Sequence, residues 1–459
     1  MKKVLISLVL LIVAASVAAC GGEGEGEPAD GDGSTPTAGL VEITFWHSEV
    51  ASNLDAIQSL ARRFNSEQDE VRVKTAFQGN DTEAMLKLTA FLGSGDVPAL
   101  IYLAEVDTQK LVDSGAARPV QDFIDREDYD LSDFDEKSIQ YYTVDGQLYG
   151  MPFGIVVPLL YYNKLDFSEV GLDPEQPPKD LEEVRELSQK LVKRDDHGNI
   201  LRAGIALDMN PWYLDVALAE HGDLYVNNGN GREGRATEVV FDGTTGQDFF
   251  RWWHEMIEEG LAINVGRNPS QADALLAMGV GRATMSLSAS SALRSVVDVL
   301  ERGELNLEPG VVNLPGVPGG TGLPGVYGRS LWILTGRPEE EQEAAWKFVK
   351  WLLEPEQQAE WFAGSGYLPV RVSAYDLPAA QSAIAEYPLF SLPVDLFLEA
   401  PSTQESLGPL LGPMRDVREV VATAMEETVV GSRDPIEALD DAAAEANDII
   451  EDYNRRLSE

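Results

Sequence analysis

Apolar and polar positions along the chain from residue 41 onward change their period repeatedly, which predicts strands and helices in alternation. VEITFWH, at positions 41–47, alternates with a period of two and indicates a strand. Apolar residues at helical spacing from Leu54 to Phe64 then indicate a helix. A strand at VRVKTAF, a helix near Thr82–Leu92 and an apolar strand at ALIYLAE follow. Strands that alternate with helices favour a parallel α/β sheet.

The same alternation continues toward the C-terminus. A helix from Leu181 to Leu191 has Asp180 as its expected N-cap, with Glu183 three residues further on. Strands are expected at GIALD, ATMSLS and LWILT. Apolar residues spaced by three and four from Ile436 to Leu457 predict one long helix docked on the body, with a coiled-coil partner helix as the alternative.

The N-terminus has the pattern of an export signal. Lys2 and Lys3 precede an apolar run of 16 residues, which is short for a hydrocarbon core of roughly 30 Å but suits a signal peptide. The run ends at Cys20, the one cysteine of the chain, and VAACG resembles the bacterial lipobox, in which the cysteine sulfur carries a diacylglycerol. An ordinary secretory signal or a weak transmembrane anchor are the alternatives.

Composition adds a tether and excludes some partners. Residues 21–40 are rich in Gly and acids, lack an apolar period and are expected to form a flexible tether. With one cysteine the chain forms no intramolecular disulfide, and about 420 remaining residues favour two domains. With 35 basic and 77 acidic residues, the net charge of −42 excludes nucleic acid and anionic membrane surfaces as expected partners.

Catalytic, metal and cofactor motifs are incomplete in this chain. GNGREG fits G-x-G-x-x-G, but no apolar strand precedes it and RATEVVF behind it looks like a strand, so it is interpreted as a hairpin loop. His254-Glu255 begins like a zinc-protease helix, yet Glu258 stands where the second histidine is required. No catalytic residue, metal or cofactor is therefore expected. A carbohydrate hydrolase with one active carboxylate pair stays open, because acidic residues are numerous.

Aromatic residues at strand ends and in loops are the candidate binding groups. Trp46, Trp212, Tyr327 and Tyr367 are placed so that their flat faces can stack on the C–H face of a sugar while polar neighbours bond its hydroxyls. The alternative for each is a place in the core. For Trp46 and Trp212 the two interpretations have equal weight.

Several segments in order resemble family 1 extracellular solute-binding proteins of ABC importers. They include ITFWHS, FQGNDTEAMLKLTAFLGSGDVPALIYLAEV, GQLYGMPFGIVVPLLYYNK, YGRSLWIL and AWKFVKWLLEPEQQAEWFAGSGYLPV. The similarity extends from about Val41 to Leu457 and is greatest to the branch that binds glycerol phosphate and its diesters. The resemblance implies an α/β fold of the two-lobed, type II periplasmic-binding-protein kind, with hinge crossovers and the ligand in the cleft between the lobes.

Boundaries follow from that resemblance. The expected division is a lipoprotein signal peptide at 1–20, a tether at 21–40, lobe 1 at 41–155 plus 312–350, and lobe 2 at 156–311 plus 351–459. The implied partners are a small solute, the transmembrane subunits of an ABC permease and a cytoplasmic ATPase. The protein is expected to be an extracytoplasmic monomer, attached to the cell membrane by lipid alone.

The resemblance also transfers site positions one by one. Glu105, Trp212, Ser290, Gly328 and Tyr367 match ligand residues of the family. The full set of expected ligand-binding residues is Trp46, Asp81, Glu105, Trp212, Ser290, Tyr327, Gly328, Arg329 and Tyr367, with Cys20 as the lipidation site.

Other family positions differ in this chain, and these differences bear on the ligand. Asp81 stands where the glycerol-phosphate branch has an aromatic residue, Val156 replaces a hinge serine, and Leu410 replaces an arginine. Phosphate recognition depends on charge-assisted donors, and a carboxylate at Asp81 beside Glu105 is expected to repel phosphate. Arg329 is either a replacement guanidinium or a solvent-facing residue.

The expected ligand is consequently a neutral sugar or polyol, in particular a small oligosaccharide. Glycerol phosphate or a glycerophosphodiester is the alternative. A ligand sensor and the secreted carbohydrate hydrolase are the rival functions.

Overall fold

The structure, a computed structural model, describes residues 39–459 except 94, 268–270, 302–305, 324, 326 and 432. The expected signal peptide, lipidation site and most of the tether lie outside these residues. Within the described part of the chain, no helix is both long enough and apolar enough to cross a membrane.

Strands occur throughout the first three quarters of the chain. In chain order they are β1 Val41–His47, β2 Val71–Phe77, β3 Leu100–Ala104, β4 Ala117–Arg118, β5 Thr143–Val144, β6 Gln147–Leu148, β7 Met151–Val156, β8 Pro158–Asn163, β9 Lys193–Arg194, β10 Ile200–Met209, β11 Ala262–Arg267, β12 Ala283–Ala289, β13 Pro309–Asn313 and β14 Tyr327–Leu334.

Helices separate the strands and make up the C-terminal region. They are α1 Ala51–Glu67, α2 Asp81–Phe91, α3 Thr108–Asp113, α4 Gln121–Glu127, α5 Glu136–Tyr141, α6 Lys164–Glu169, α7 Leu181–Leu191, α8 Trp212–His221, α9 Asn227–Gly231, α10 Thr244–Glu258, α11 Gln271–Gly279, α12 Leu293–Glu301, α13 Glu339–Leu352, α14 Pro355–Ser365, α15 Pro378–Glu386, α16 Ser391–Glu399, α17 Met414–Val430 and α18 Pro435–Ser458. Short 3-10 turns lie at Glu105–Asp107, Ser290–Ala292, Val372–Asp376 and Pro388–Phe390.

Two larger sheets organise the molecule. The first has the strand order β2-β1-β3-β14-β4, with β7 also paired to β14, and the second has the order β11-β10-β12-β8-β13, with β9 on β10. Parallel pairing of β1 with β2 and β3, and of β10 with β11 and β12, confirms the prediction of parallel α/β sheets. We call the body around the first sheet lobe 1 and the body around the second sheet lobe 2.

Each lobe has its own apolar core. Phe45, Leu100 and Trp332 are fully buried in the core of lobe 1, and Ile205 and Trp253 in that of lobe 2. The apolar faces that the sequence predicts on the helices pack against these sheets, because burying such a face is the main stabilisation that a surface helix gains.

Two connections join the sheets of the two lobes. β7 of the first sheet is followed after one residue, Val157, by β8 of the second. β13 of the second sheet leads through residues 314–326 to β14 of the first. Strands that pass from one sheet to another in this way are the usual hinge of a two-lobed protein.

Most elements expected from the sequence are present, and one expectation is wrong. β1, α1, β2, α2, β3, α7, β10, β12, β14 and α18 lie where the periodicity predicts them. The side chain of Asp180 accepts the Glu183 N–H, as expected of an N-cap. The predicted strand RATEVVF is wrong, because that segment forms only an isolated bridge between Val226 and Val239. GNGREG begins inside α9, where Asn228, Gly229 and Asn230 adopt left-handed backbone angles.

The buried residues of the C-terminal helices group differently from the division that the sequence predicts. The expected boundary assigned 351–459 to lobe 2. Buried residues from Leu352 to Leu407 instead pack in the cluster that holds the core of lobe 1 and also includes Leu159 and Tyr161 of β8, whereas those from Leu411 to Ile450 pack in the cluster of lobe 2. We therefore propose that lobe 1 extends through α13–α16 and that α17 and α18 alone return to lobe 2.

Candidate ligand-binding site

A cavity of about 190 Å³ lies where the carboxyl ends of strands from both sheets meet. This is the position at which open α/β sheets bind ligands. Its described lining residues are Asp81, Ala104, Glu105, Val156, Asn210, Trp212, Ala289, Ser291, Tyr327, Gly328, Arg329, Tyr367 and Arg418. The volume is below the roughly 300–1,000 Å³ of drug-sized sites, so this conformation suits a small solute.

The cavity brings together most of the residues that the sequence singled out. Those that line it are Asp81, Glu105, Trp212, Tyr327, Gly328, Arg329 and Tyr367. Trp46 and Ser290 are not among the described lining residues. Trp46 packs edge-on against Phe91, with ring centroids 6.0 Å apart. Ser290 is fully buried and its Oγ accepts the Val157 N–H at 3.3 Å, while its neighbour Ser291 faces the cavity.

Two aromatic rings form one wall of the cavity. Trp212 is the first residue of α8, directly after the loop that ends β10, and Tyr327 begins β14. Their rings are perpendicular, with centroids 5.2 Å apart. Within the described chain, the buried Trp212 Nε1 and the Tyr327 hydroxyl have no hydrogen-bond partner. Because buried polar groups are usually bonded, the lack of a partner for these two groups beside the cavity is unusual.

Arg329 is held by carboxylates at the opposite part of the cavity. Its two terminal nitrogens donate to the two oxygens of Asp81 at 2.6 and 2.7 Å, and its Nε lies 3.4 Å from Glu49. Tyr367 donates to the same Glu49 oxygen at 3.2 Å. Burial raises the pKa of the Glu49 carboxyl, against the pull of Arg329.

These contacts correct two expectations about charge. Arg329 is not solvent-facing, because only 17% of its side chain is exposed. Asp81 is not a free carboxylate beside Glu105, because the Arg329 guanidinium neutralises it through two parallel hydrogen bonds. Asp81 therefore does not repel phosphate through an uncompensated charge.

A second arginine reaches the cavity from α17 of lobe 2. The Arg418 guanidinium pairs with Asp215 of α8 and lies 3.5 Å from Glu105 of lobe 1. Burial raises the pKa of the Asp215 carboxyl to about 6, while Arg418 pulls it the other way. The Nε of Arg418 has no hydrogen-bond partner in the described chain. Both guanidinium groups among the described lining residues, Arg329 and Arg418, are thus paired with carboxylates.

Three charged members of this arrangement were missed by the sequence reasoning. Glu49, Asp215 and Arg418 are not among the site residues that the resemblance transferred. A partial signal exists for Arg418, since Arg415 and Arg418 are three residues apart and therefore share one face of α17. Arg415 pairs across the lobes with Asp107, at 2.6 Å to each carboxylate oxygen.

A larger cavity of about 380 Å³ lies beside the loop around Arg232 and is lined by Leu410, among others. Here the three guanidinium nitrogens of Arg232 donate to backbone carbonyls of Tyr141, Leu407 and Gly408. The donors of this arginine are therefore already engaged within the protein. The smaller cavity, with its unpartnered buried groups, is the better candidate for a ligand site.

Known proteins resemble the chain over most of its length. The sequence model of the family described as bacterial extracellular solute-binding protein matches residues 59–390. The sn-glycerol-3-phosphate-binding periplasmic protein UgpB of Shigella flexneri serotype 5b (strain 8401) is 28% identical over 421 residues, which cover 90% of this chain and 93% of that protein.

Solved structures extend the comparison to the fold. UgpB from Mycobacterium tuberculosis in complex with glycerophosphocholine superposes with a TM-score of 0.76 at 20% identity, covering 90% of this chain and 99% of its own. The GacH receptor of Streptomyces glaucescens GLA.O, solved unliganded and with acarbose, has a TM-score of 0.74 at 19% identity with the same coverage. At these identities the likeness shows the shared fold, which is the two-lobed, type II periplasmic-binding-protein fold expected from the sequence.

Proposed function

The chain belongs to the bacterial extracellular solute-binding proteins, the substrate-binding components of ABC importers, and we propose that its solute is an uncharged sugar or polyol. The observation that carries this proposal is the charge balance of the cavity. Arg329 is bonded by Asp81, and Arg418 by Asp215. Anion recognition depends on guanidinium donors that are free to bond the ligand, and the described lining residues supply none with both terminal nitrogens free.

The remaining polar groups of the cavity suit hydroxyl groups. Trp212 Nε1 and the Tyr327 hydroxyl are buried and unpartnered within the described chain, and Glu105 and Asn210 add acceptor oxygens nearby. The perpendicular rings of Trp212 and Tyr327 offer an apolar face beside these groups. An aromatic face with hydrogen-bonding groups around it is the combination that a sugar ring requires.

The mechanism is closure of the lobes around the solute. Trp212 and Arg418 belong to lobe 2, whereas Glu105, Arg329 and Tyr367 belong to lobe 1. A solute that contacts both walls binds the closed arrangement more tightly than the open one, and this difference in affinity is what shifts the equilibrium. The closed form is then delivered to the permease. A small oligosaccharide, the solute that the sequence favoured, requires a wider cleft than the present cavity offers.

Glycerol phosphate or a glycerophosphodiester is the second candidate. It is favoured by the names of two relatives, one described as binding sn-glycerol 3-phosphate and the other solved with glycerophosphocholine. Against it stands the paired state of Arg329 and Arg418. A phosphate that bonded both terminal nitrogens of Arg329 would have to displace Asp81 and leave that carboxylate without its counter-ion, which is costly.

We also propose that the protein is attached to the cell membrane by a lipid and that it is neither an enzyme nor a sensor. Cys20 carries a lipid that attaches a monomeric chain to the outer side of the cell membrane, near a permease with a cytoplasmic ATPase. The protein is a binder, not an enzyme or a sensor. Its solute is expected to be recovered unchanged after binding, whereas a hydrolase would cleave a sugar polymer.

A thermal-shift screen tests the solute class. The panel contains monosaccharides, oligosaccharides, polyols and glycerol-phosphate esters, since a ligand that binds only the folded chain raises its melting temperature. We expect a rise with at least one uncharged compound and recovery of that compound intact by chromatography. A rise confined to phosphate esters would contradict the proposed class, and turnover of the compound would contradict the proposed function.

A further inference from the structure

The bidentate ion pair of Arg329 and Asp81 lies at the wall of the candidate ligand cavity. Arg329 lies in β14 and Asp81 is the first residue of α2, and both line the cavity. The contacts are 2.6 and 2.7 Å, one from each terminal nitrogen to one carboxylate oxygen. A phosphate or a carboxylate group of a solute binds arginine with the same two parallel hydrogen bonds.

The guanidinium is held in place independently of Asp81. Its Nε lies 3.4 Å from Glu49, a carboxyl group with only 3% of its side chain exposed that is not among the described lining residues. Glu49 also accepts the hydroxyl of Tyr367 at 3.2 Å. The guanidinium plane also lies 5.7 Å from the centre of the Tyr102 ring. Arg329 would therefore keep its position if Asp81 lost its charge.

We propose that Asp81 determines the charge selectivity of the cleft by occupying the terminal nitrogens of Arg329. On this account the Asp81 carboxylate excludes anionic solutes because it already bonds the Arg329 nitrogens that an anion would bond. Removing the charge of Asp81 would then free these nitrogens to form an oxyanion site. This inference rests on the proposed function, since it explains why an uncharged solute is selected. The shared chemistry of the excluded solutes is a phosphate monoester or carboxylate.

Arg418 does not offer the same opportunity. Its partner Asp215 has 1% of its side chain exposed, and Glu105 lies on its other side at 3.5 Å. Asp81, by contrast, keeps 25% of its side chain exposed. Its replacement also leaves the cap of α2 intact, because the capping box is made by Asn80 and Glu83. Of the cavity's two described guanidinium groups, Arg329 is thus the one whose terminal nitrogens bond a partly exposed carboxylate.

The test is the variant Asp81→Asn, titrated with inorganic phosphate and sn-glycerol 3-phosphate by calorimetry, with glycerol as the uncharged comparison. We expect saturable binding of both phosphate compounds at least tenfold tighter than to the wild-type chain, with no gain for glycerol. The double variant Asp81→Asn/Arg329→Gln is expected to lose the gain. Circular dichroism and melting temperature establish that each variant is folded.

A matched control separates the local effect from the change of net charge. Asp107→Asn removes the same charge from the two-pronged pair with Arg415, and neither of these residues is among the described lining residues. If this buried change prevents folding, Glu339→Gln replaces it, because that exposed residue pairs with Arg118. Neither control is expected to gain phosphate binding.

Each outcome is decisive. A folded Asp81→Asn chain without the gain would overturn the inference, and an equal gain in the control would attribute it to overall charge and overturn it too. Retention of the gain in the double variant would remove Arg329 as the anion's partner. Binding of an uncharged solute by the wild-type chain is measured separately, so failure of the inference leaves the proposed function testable on its own.

Discussion

Trp212 is the residue on which the proposed stacking depends. It is 8% exposed, meets Tyr327 edge-on and has an unpartnered Nε1 in the described chain. We expect Trp212→Ala to weaken solute binding by about 1–3 kcal/mol, because the variant loses both the apolar face and the donor. Titration calorimetry against the best compound of the solute screen measures the loss. Trp351→Phe, a change outside the described lining residues, should leave affinity unaltered, and equal affinities for all three chains would remove Trp212 from the site.

Glu220 predicts a pH dependence of stability that is separate from binding. It is 1% exposed, its Oε1 accepts the Asn313 amide at 2.6 Å, and burial raises its pKa to about 8. A carboxyl group whose pKa is higher in the folded than in the unfolded chain stabilises the folded state most when the pH is below its pKa in the unfolded chain. Its contribution is lost as the pH rises through the folded pKa, at no more than about 1.4 kcal/mol per pH unit.

The variant Glu220→Gln isolates this contribution. The amide has the shape of the protonated acid and keeps an oxygen for Asn313, but it does not titrate. Denaturant unfolding between pH 5 and 8 should therefore show a smaller fall in the free energy of unfolding for the variant than for the wild-type chain. Parallel curves for the two chains would show that Glu220 does not titrate in this range.

The sequence predicted the place of the site better than its charge state. The resemblance to the family supplied the candidate positions Asp81, Glu105, Trp212 and Tyr367, and all four line the cavity. Residue spacing carries no information about a partner 248 positions away, which is the separation of Asp81 and Arg329. The neutralisation of Asp81 was therefore not predictable from the chain alone.

At the scale of elements, the pairing of β7 with β14 joins the hinge to the cavity. Gly328 has φ of +152°, and a Cβ at this position would lie 2.3 Å from the carbonyl oxygen of Gly154 on the paired strand. Any other side chain would strain the backbone or separate the strands.

We expect Gly328→Ala to lower the free energy of unfolding by about 1–3 kcal/mol through backbone strain and to weaken solute binding as well. Gly93→Ala is the matched control, since a Cβ there has no heavy atom within 4 Å. Urea unfolding of both variants gives the comparison. A Gly328→Ala chain as stable as the control would show that this approach of the strands can relax at little cost.

Element types followed from periodicity wherever the period was clear, as in α7 and α18. The exception is RATEVVF, positions 235–241, which the sequence suggested as a strand and which forms only an isolated bridge at Val239. Just before it, Asn228, Gly229 and Asn230 adopt left-handed angles, which Asn and Gly tolerate better than other residues. A turn of this kind changes the direction of the chain through its backbone angles, and the pattern of apolar residues does not predict it.

At the scale of the whole molecule, the assignment of helices to lobes was the least predictable feature. An apolar stripe shows that a helix packs against something, but it does not identify the sheet. Trp361 and Phe362 of α14 are buried together with core residues of lobe 1, and we propose that this helix belongs to lobe 1, although the sequence placed it in lobe 2. The choice is made by contacts between residues far apart in the chain.

The proposed membrane attachment is tested on the intact chain in cells. Cys20→Ser should move the protein from the membrane fraction to the soluble or secreted fraction, because a serine hydroxyl does not receive the lipid. Solute binding should remain as in the wild-type chain, since the described residues that line the cavity all fall between Asp81 and Arg418 in the sequence. Retention of the variant in the membrane would identify the apolar run itself as the anchor.

The central claim is that the interlobe cavity selects an uncharged sugar or polyol, and titration calorimetry of the purified chain tests it most directly. The compound identified by the screen and sn-glycerol 3-phosphate are titrated under identical buffer and salt conditions. The account predicts saturable one-to-one binding of the uncharged compound and no measurable binding of the phosphate ester. Saturable micromolar binding of sn-glycerol 3-phosphate, with no heat from any sugar or polyol, would contradict it.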